Sequence, residues 1–303
     1  MTTTTSKRKK IAQAENPAFI EAKGYFQGKD YLLTPPLLRA AYSDRMAWVC
    51  ASMSHLAYDR FELNDAELNR QFEAKLESGG FKLIDTFNSD KTGTQAFLAS
   101  NGDFVVLAFR GTEKNWRDVQ TDILSRRVRT SSGRIHAGFR QAYESVRPEI
   151  EKSLKKIGKL PLYITGHSLG GALATVATER LESNPRFEFQ VAACYTFGSP
   201  RVGNAEYDPN IKSSFFRVVN TVDIVTVIPL LVMGFVHVGD IRFLERRDEL
   251  FRRGIPFWRL FAFLFGFSHL VADHGIAEYR RKLELIAKRR SRSLFGDSRS
   301  PGR

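Results

Sequence analysis

Ser168 stands in Gly166-His167-Ser168-Leu169-Gly170, a G-x-S-x-G pattern set between an apolar run (LPLYIT, 160–165) and a helix-forming run (GALATVATERL, 171–181). Five residues of this kind also arise by chance; the apolar run before them and the helical run after them make an idle serine in a glycine-rich turn the weaker reading. A serine placed in such a strand-to-helix turn is the kind of group that attacks a carbonyl carbon. The turn is sharp enough to strain the serine backbone, and side chains at 166 and 170 would collide with strand and helix, so both glycines belong to the requirement. Gly171 adds room for close packing. The same turn aims the amino end of the following helix at the place where an oxyanion would form, with the backbone N–H of Leu169 as a first donor.

A serine hydroxyl is a poor nucleophile until an imidazole takes its proton and a carboxylate holds that imidazole in the right tautomer. In this strand–turn–helix setting the order along the chain is serine, acid, histidine. Of the six histidines, His55, His136 and His167 precede or abut the serine, which leaves His237, His269 and His274 as candidate bases. His136 and His167 read as packing residues.

The elements that must position these groups follow from short apolar runs at 104–109 (FVVLAF), 160–165, 191–197 (VAACYTF) and 215–220 (FFRVVN), each readable as a buried parallel strand. Helical patterns at 139–154 and 171–181 lie between them, and 44–58 reads as a helix that opens the domain. That alternation predicts an α/β fold, a mostly parallel sheet with helices on both faces. With no internal repeat and no Pro/Ser-rich linker, the simplest division is a flexible basic segment over 1–25, one domain over 30–288 and a basic, disordered tail over 289–303. A chain of 303 residues can bury its own core without crosslinks. Cys50 and Cys194, both in apolar surroundings, read as buried thiols.

The net charge of +13 is uneven. Four basic and no acidic residues at 1–10, with nine basic and two acidic at 280–303, account for eleven of those thirteen charges. Basic ends suit a peripheral contact with an anionic membrane surface. No nucleic-acid recognition helix or aromatic–basic RNA signature accompanies them, so nucleic acid is not an expected partner. The first 16 residues lack an apolar h-region of Sec type, which points to a cytoplasmic or peripheral-membrane location. The apolar stretches 224–239 and 255–272 fall short of a spanning helix; the Phe-rich second one reads as pocket lining or a membrane-docking element. No metal-ligand spacing and no dinucleotide fingerprint appears, so neither a metal nor a cofactor is expected.

Five motifs together resemble the class 3 lipases of the α/β-hydrolase superfamily: SHLAY (54–58), VLAFRGT (106–112) followed by Asn115 and Trp116, IHAGF (135–139), ITGHSLGGALA (164–174), and YTFGSPRVGN (195–204) continuing to VVNTVDIVTVIP (218–229). The resemblance covers roughly residues 40–280 in the family's order. It implies an α/β-hydrolase fold and a serine hydrolase of lipid esters with Ser168 as nucleophile. The family's N-x-x-D-I-V-x-x-x-P context selects Asp223 as the acid. Its H-x-x-x-Y pattern at the start of the last helix selects His274 as the base, with Tyr279 one place later than in some relatives. By the same resemblance the backbone N–H of Thr112 is the second oxyanion donor, and 114–124 occupies the place of a lid, where Trp116, Val119, Ile123 and Leu124 at helical spacing read as a fixed surface helix or as a lid. The implied substrate is a triacylglycerol-like ester, with a phospholipid or galactolipid as the alternative on the same triad. A catalytically silent membrane- or nucleic-acid-binding protein on a hydrolase scaffold is the reading from another class.

Overall fold

The structure, a computed structural model, describes residues 17–37, 40–63, 65–112, 127–185, 190–220, 223–227, 234–244, 251–252 and 274–295. The segment 114–124, residues 228–233 of the first apolar stretch, and the whole of 255–272 with His269 lie outside them. In chain order the helices are α1 (Pro17–Lys23), α2 (Asp44–Leu56), α3 (Ala66–Glu77), α4 (Ala137–Glu144), α5 (Arg147–Leu154), α6 (Leu169–Glu182) and α7 (Ile276–Phe295). The strands are β1 (Lys82–Ser89), β2 (Thr94–Ser100), β3 (Val105–Phe109), β4 (Arg127–Thr130), β5 (Gly133–His136), β6 (Leu162–His167), β7 (Val191–Phe197), β8 (Ser214–Asn220), β9 (Asp240–Leu244) and β10 (Phe251–Arg252).

Eight strands form one sheet in the order β1-β2-β3-β6-β7-β8-β9-β10. The five from β3 to β9 run parallel, and β1, β2 and β10 add antiparallel edges. All five residues of β3 and all six of β6 are buried. This is why their sequences read as continuous apolar runs: a strand covered on both faces has no polar side to alternate with. The pleat still sorts them. Val106, Ala108 and Tyr163 enter a core with Trp48 of α2 and Tyr279 and Leu283 of α7, whereas Leu107, Phe109, Leu162 and Ile164 enter one with Phe139 of α4, Ile150 of α5 and Leu173 of α6. The two thiols are buried and free, Cys50 in the first core and Cys194 in the second.

Three departures from the expected elements have physical causes. The helical pattern 139–154 divides into α4 and α5, with Pro148 in the first turn of α5, where its missing N–H costs no helical bond. Residues 17–23, inside the segment expected to be flexible, form α1, and the chain behind it is anchored by Phe26, whose ring meets Trp48 at 5.7 Å. Helix α7 runs to Phe295, past the expected start of a tail at 289, and several of its cationic side chains are bonded to groups of the fold. Arg280 bonds to Ser52 and to the Tyr25 carbonyl, Lys282 to Asn220, Lys288 to Glu284 and Arg290 to Asp44.

Candidate active site

In a parallel sheet the carboxyl ends of neighbouring strands share one edge, and loops leaving that edge can bring distant residues together. Ser168 follows β6, Asp223 follows β8 and Thr112 follows β3, so all three leave from that edge.

The Ser168 turn has the geometry its glycines require. Ser168 has φ 56° and ψ −127°, and it is the single non-glycine with positive φ among the described residues. Holding an L-residue there costs on the order of 1–3 kcal/mol, a strain that persists only where the surroundings over-determine it. The surroundings do so: a Cβ on Gly166 would overlap the Gly170 carbonyl, and a Cβ on Gly170 would overlap the Phe109 carbonyl at the end of β3. Backbone bonds close the turn, from Ser168 N–H to the Phe197 carbonyl (2.9 Å) and from Gly171 N–H to the Ser168 carbonyl (2.9 Å). No side chain caps α6, so the N–H of Leu169 at its first position remains available to an anion.

His274 and Asp223 are brought together across 51 residues. Nδ1 of His274 lies 2.9 Å from Oδ2 and 3.0 Å from Oδ1 of Asp223. A carboxylate only accepts, so Nδ1 carries the proton and Nε2 presents its lone pair. Asp223 is buried and receives two further donors, the Tyr279 hydroxyl at 2.6 Å on Oδ2 and the Val225 N–H at 3.0 Å on Oδ1. Tyr279 in turn accepts from the Asn220 N–H (2.8 Å), and buried Lys282 donates to the Asn220 side-chain carbonyl (2.8 Å). The extra residue between His274 and Tyr279 is taken up before α7 begins at Ile276, so the tyrosine still reaches the aspartate. Gly198 (φ +56°) makes room for the pair: a Cβ there would overlap Asp223 Oδ2 and come 3.0 Å from His274 Nδ1.

Ser168 is next to this pair in space through its neighbours. The ring of His167 lies 4.5 Å from that of His274, and Phe197, whose carbonyl receives Ser168 N–H, precedes Gly198. The Ser168 hydroxyl itself makes no hydrogen bond among the described residues. Links of this kind commonly tighten only with substrate in place. Thr112 lies three residues beyond β3, with Gly111 packed on the His167 carbonyl.

Two of the other histidines are engaged elsewhere. His237 donates to the Thr226 carbonyl (2.6 Å), and His136 caps α4 by accepting from the Phe139 N–H. His167, expected to be a packing residue, is hydrogen-bonded at both ring nitrogens. Sequence reasoning passed over Tyr58, Gly198, Asn220 and Lys282. SHLAY and FGSP were visible as motifs, but only the folded contacts assign their tyrosine and glycine a place. Among the described residues no group of three His, Cys, Asp or Glu side chains could hold a metal ion.

Residues 106–233 match the model of the class 3 lipase family, a segment that includes Ser168 and Asp223. A lipase of Rhizopus oryzae is 33% identical over 171 residues, 52% of this chain and 43% of that protein. Secreted mono- and diacylglycerol lipase A of Penicillium cyclopium is 35% identical over 172 residues, 54% of this chain and 55% of that one. The chain thus spans about half the length of the curated relatives it matches. Among solved structures, the triacylglyceride lipase of Rhizomucor miehei superimposes over 80% of this chain and 99% of its own, with a TM-score of 0.60 and 20% identity, which shows a shared fold. The fold is therefore that of the α/β-hydrolases. Within it, the segment 106–233 is similar to the class 3 lipases. One expectation is corrected here: a cytoplasmic or peripheral-membrane location conflicts with the Penicillium cyclopium relative being named a secreted lipase. That expectation rested on the first 16 residues, which lie outside the segment 106–233 that matches the family model.

Proposed function

We propose that the protein hydrolyses carboxylic esters of lipids through an acyl-enzyme formed on Ser168. The observation that carries this reading is the buried Asp223 carboxylate holding the Nδ1–H of His274, on the sheet edge that also bears the strained Ser168 turn. His274 Nε2 takes the proton of the Ser168 hydroxyl as Oγ attacks the ester carbonyl. The resulting oxyanion is received by the backbone N–H groups of Leu169 and Thr112. His274 then returns the proton to the departing alcohol, and water repeats the sequence to release the fatty acid. Asp223 stays ionised throughout, compensated by Tyr279, Val225 and the imidazolium. Residues 30–288 act as one catalytic domain.

Triacylglycerol-like esters are the leading substrate, in keeping with the relatives named as lipases and as a mono- and diacylglycerol lipase. A second reading, a phospholipid at an anionic surface, is favoured by one observation. Arg129 of β4 and Arg134 of β5 sit directly opposite each other, with Arg140 donating to the Arg129 carbonyl. None of the three has a carboxylate within ion-pair distance among the described residues. Like charges opposite one another weaken a hairpin, and an anionic interface would relieve the repulsion.

Mass-spectrometric product analysis separates the two. Wild type and Ser168→Ala are each given a triacylglycerol emulsion and mixed phospholipid vesicles at low and high salt. Ser168-dependent fatty acid from the emulsion supports the lipase. Ser168-dependent lysophospholipid that declines with salt supports the phospholipase, and no Ser168-dependent product from either substrate removes the proposal.

A further inference from the structure

His167 precedes the nucleophile, yet its side chain serves other partners. Nδ1 lies 2.7 Å from the Tyr58 hydroxyl, and Nε2 lies 2.5 Å from the backbone carbonyl oxygen of His274. The ring is buried, and burial, reinforced by the nearby His274, holds its pKa well below the usual imidazole range. A neutral imidazole has one N–H and one lone pair. The carbonyl oxygen can only accept, so the proton resides on Nε2 and the Nδ1 lone pair receives the Tyr58 O–H. The direction of the whole chain is thereby fixed.

The other end of this chain touches the loop that carries Thr112. A Cβ on Gly111 would overlap the Tyr58 hydroxyl and come 2.7 Å from the His167 carbonyl, so the loop backbone rests on both residues. Tyr58 is positioned two residues after α2 ends at Leu56, with its N–H bonded to the His55 carbonyl. One run of hydrogen bonds and close contact therefore connects the Gly111–Thr112 backbone, Tyr58, His167 and the backbone of His274. A displacement of about 1 Å at a reacting centre can cost 10²-fold in rate, so a device that registers base and oxyanion donor against one another has a kinetic role to play.

We propose that Tyr58 and His167 are positioning residues: the Tyr58 hydroxyl donates to Nδ1 and holds the His167 ring in place, and the Nε2–H of that ring pins the His274 backbone in register with the Gly111–Thr112 turn. This rests on the acyl-transfer reading of Ser168, Asp223 and His274.

The test compares wild type, Tyr58→Phe, His167→Gln and His167→Asn on a soluble ester, p-nitrophenyl butyrate, with active sites counted by phosphonate titration and melting temperatures recorded. A glutamine amide reaches the Nε2 position and still donates to the His274 carbonyl. An asparagine amide reaches only the Nδ1 position and keeps the Tyr58 link alone. The expected result is a fall in kcat per titrated site of roughly 10²-fold for His167→Asn and roughly tenfold for Tyr58→Phe, with KM within about twofold, and recovery of most of the loss in His167→Gln. A purely structural role would lower the melting temperature of the glutamine and asparagine variants alike and leave kcat per site unchanged. Equal kcat for those two variants, or values for all three within about twofold of wild type, would overturn the proposal. A wild type without any turnover that Ser168→Ala abolishes would overturn the hydrolase reading, and this proposal with it.

Discussion

The two halves of the site are held by opposite means. The Ser168 turn, Gly166–Gly171, is contiguous in sequence and is shaped by exclusion: missing side chains at 166 and 170 let β6, β3 and α6 approach closely around the strained Ser168 backbone. The Asp223–His274 arm joins Asn220 and Asp223 to His274, Tyr279 and Lys282, and it is shaped by attraction through side-chain hydrogen bonds between segments more than 50 residues apart. The comparison implies that the first half fails abruptly when volume is added, whereas the second, apart from the one Asp223–His274 bond that sets the tautomer, fails by degrees as supporting bonds are removed.

The largest effect belongs to the bond that sets the tautomer. Asp223→Asn keeps the shape but presents an amide to His274 Nδ1, and kcat is expected to fall about 10⁴-fold with little change in melting temperature, as steady-state kinetics and thermal unfolding would show. Next is added volume in the turn. Gly170→Ala should lower kcat about 10²-fold and stability by about 1–3 kcal/mol, measured by denaturant unfolding, because the new methyl meets the Phe109 carbonyl and the rigid end of β3. Tyr279→Phe removes one donor from Asp223 Oδ2 while keeping the ring in the core, and a fall in kcat of about tenfold is expected, with KM unchanged. If Tyr279→Phe proved as damaging as Gly170→Ala, the contrast between the two halves would be wrong.

The smallest effect lies outside both halves and is a matter of pH. Burial, with the positive charges of Arg280 and Lys75 adding to it, pushes the His55 pKa down to about 4, against about 6.5 for an unfolded histidine. Between those values the unfolded chain takes up the proton first, so stability from this site is complete above pH 6.5 and is lost as pH falls toward 4. Melting temperature should therefore drop over that window more steeply in wild type than in His55→Gln.

How much was legible in the sequence follows the same division. The turn was readable because its cause is local: strand, glycine, serine, glycine and helix lie within about twenty consecutive residues, and β6, β7 and β8 announced themselves as apolar runs. Asp223 and His274 were readable only through family resemblance, since nothing local distinguishes His274 from His237 until the fold shows His237 bonded to Thr226. Helix α1 and the inner half of the basic C-terminal segment were misread for a related reason. Helix α1 is only seven residues long, and in the C-terminal segment only long-range partners such as Asp44 and Ser52 convert Arg290 and Arg280 from solvated charges into anchors.

The central claim is that Ser168 is a nucleophile activated by His274, and the most direct test is covalent trapping. The protein is incubated with an alkyl p-nitrophenyl phosphonate, and the adduct is located by peptide mass spectrometry in wild type and in His274→Ala. One phosphonyl group per chain on Ser168 in wild type, formed at least about 10³-fold more slowly in His274→Ala, is the predicted result. An adduct on another residue, or labelling of Ser168 at the same rate without His274, would contradict it.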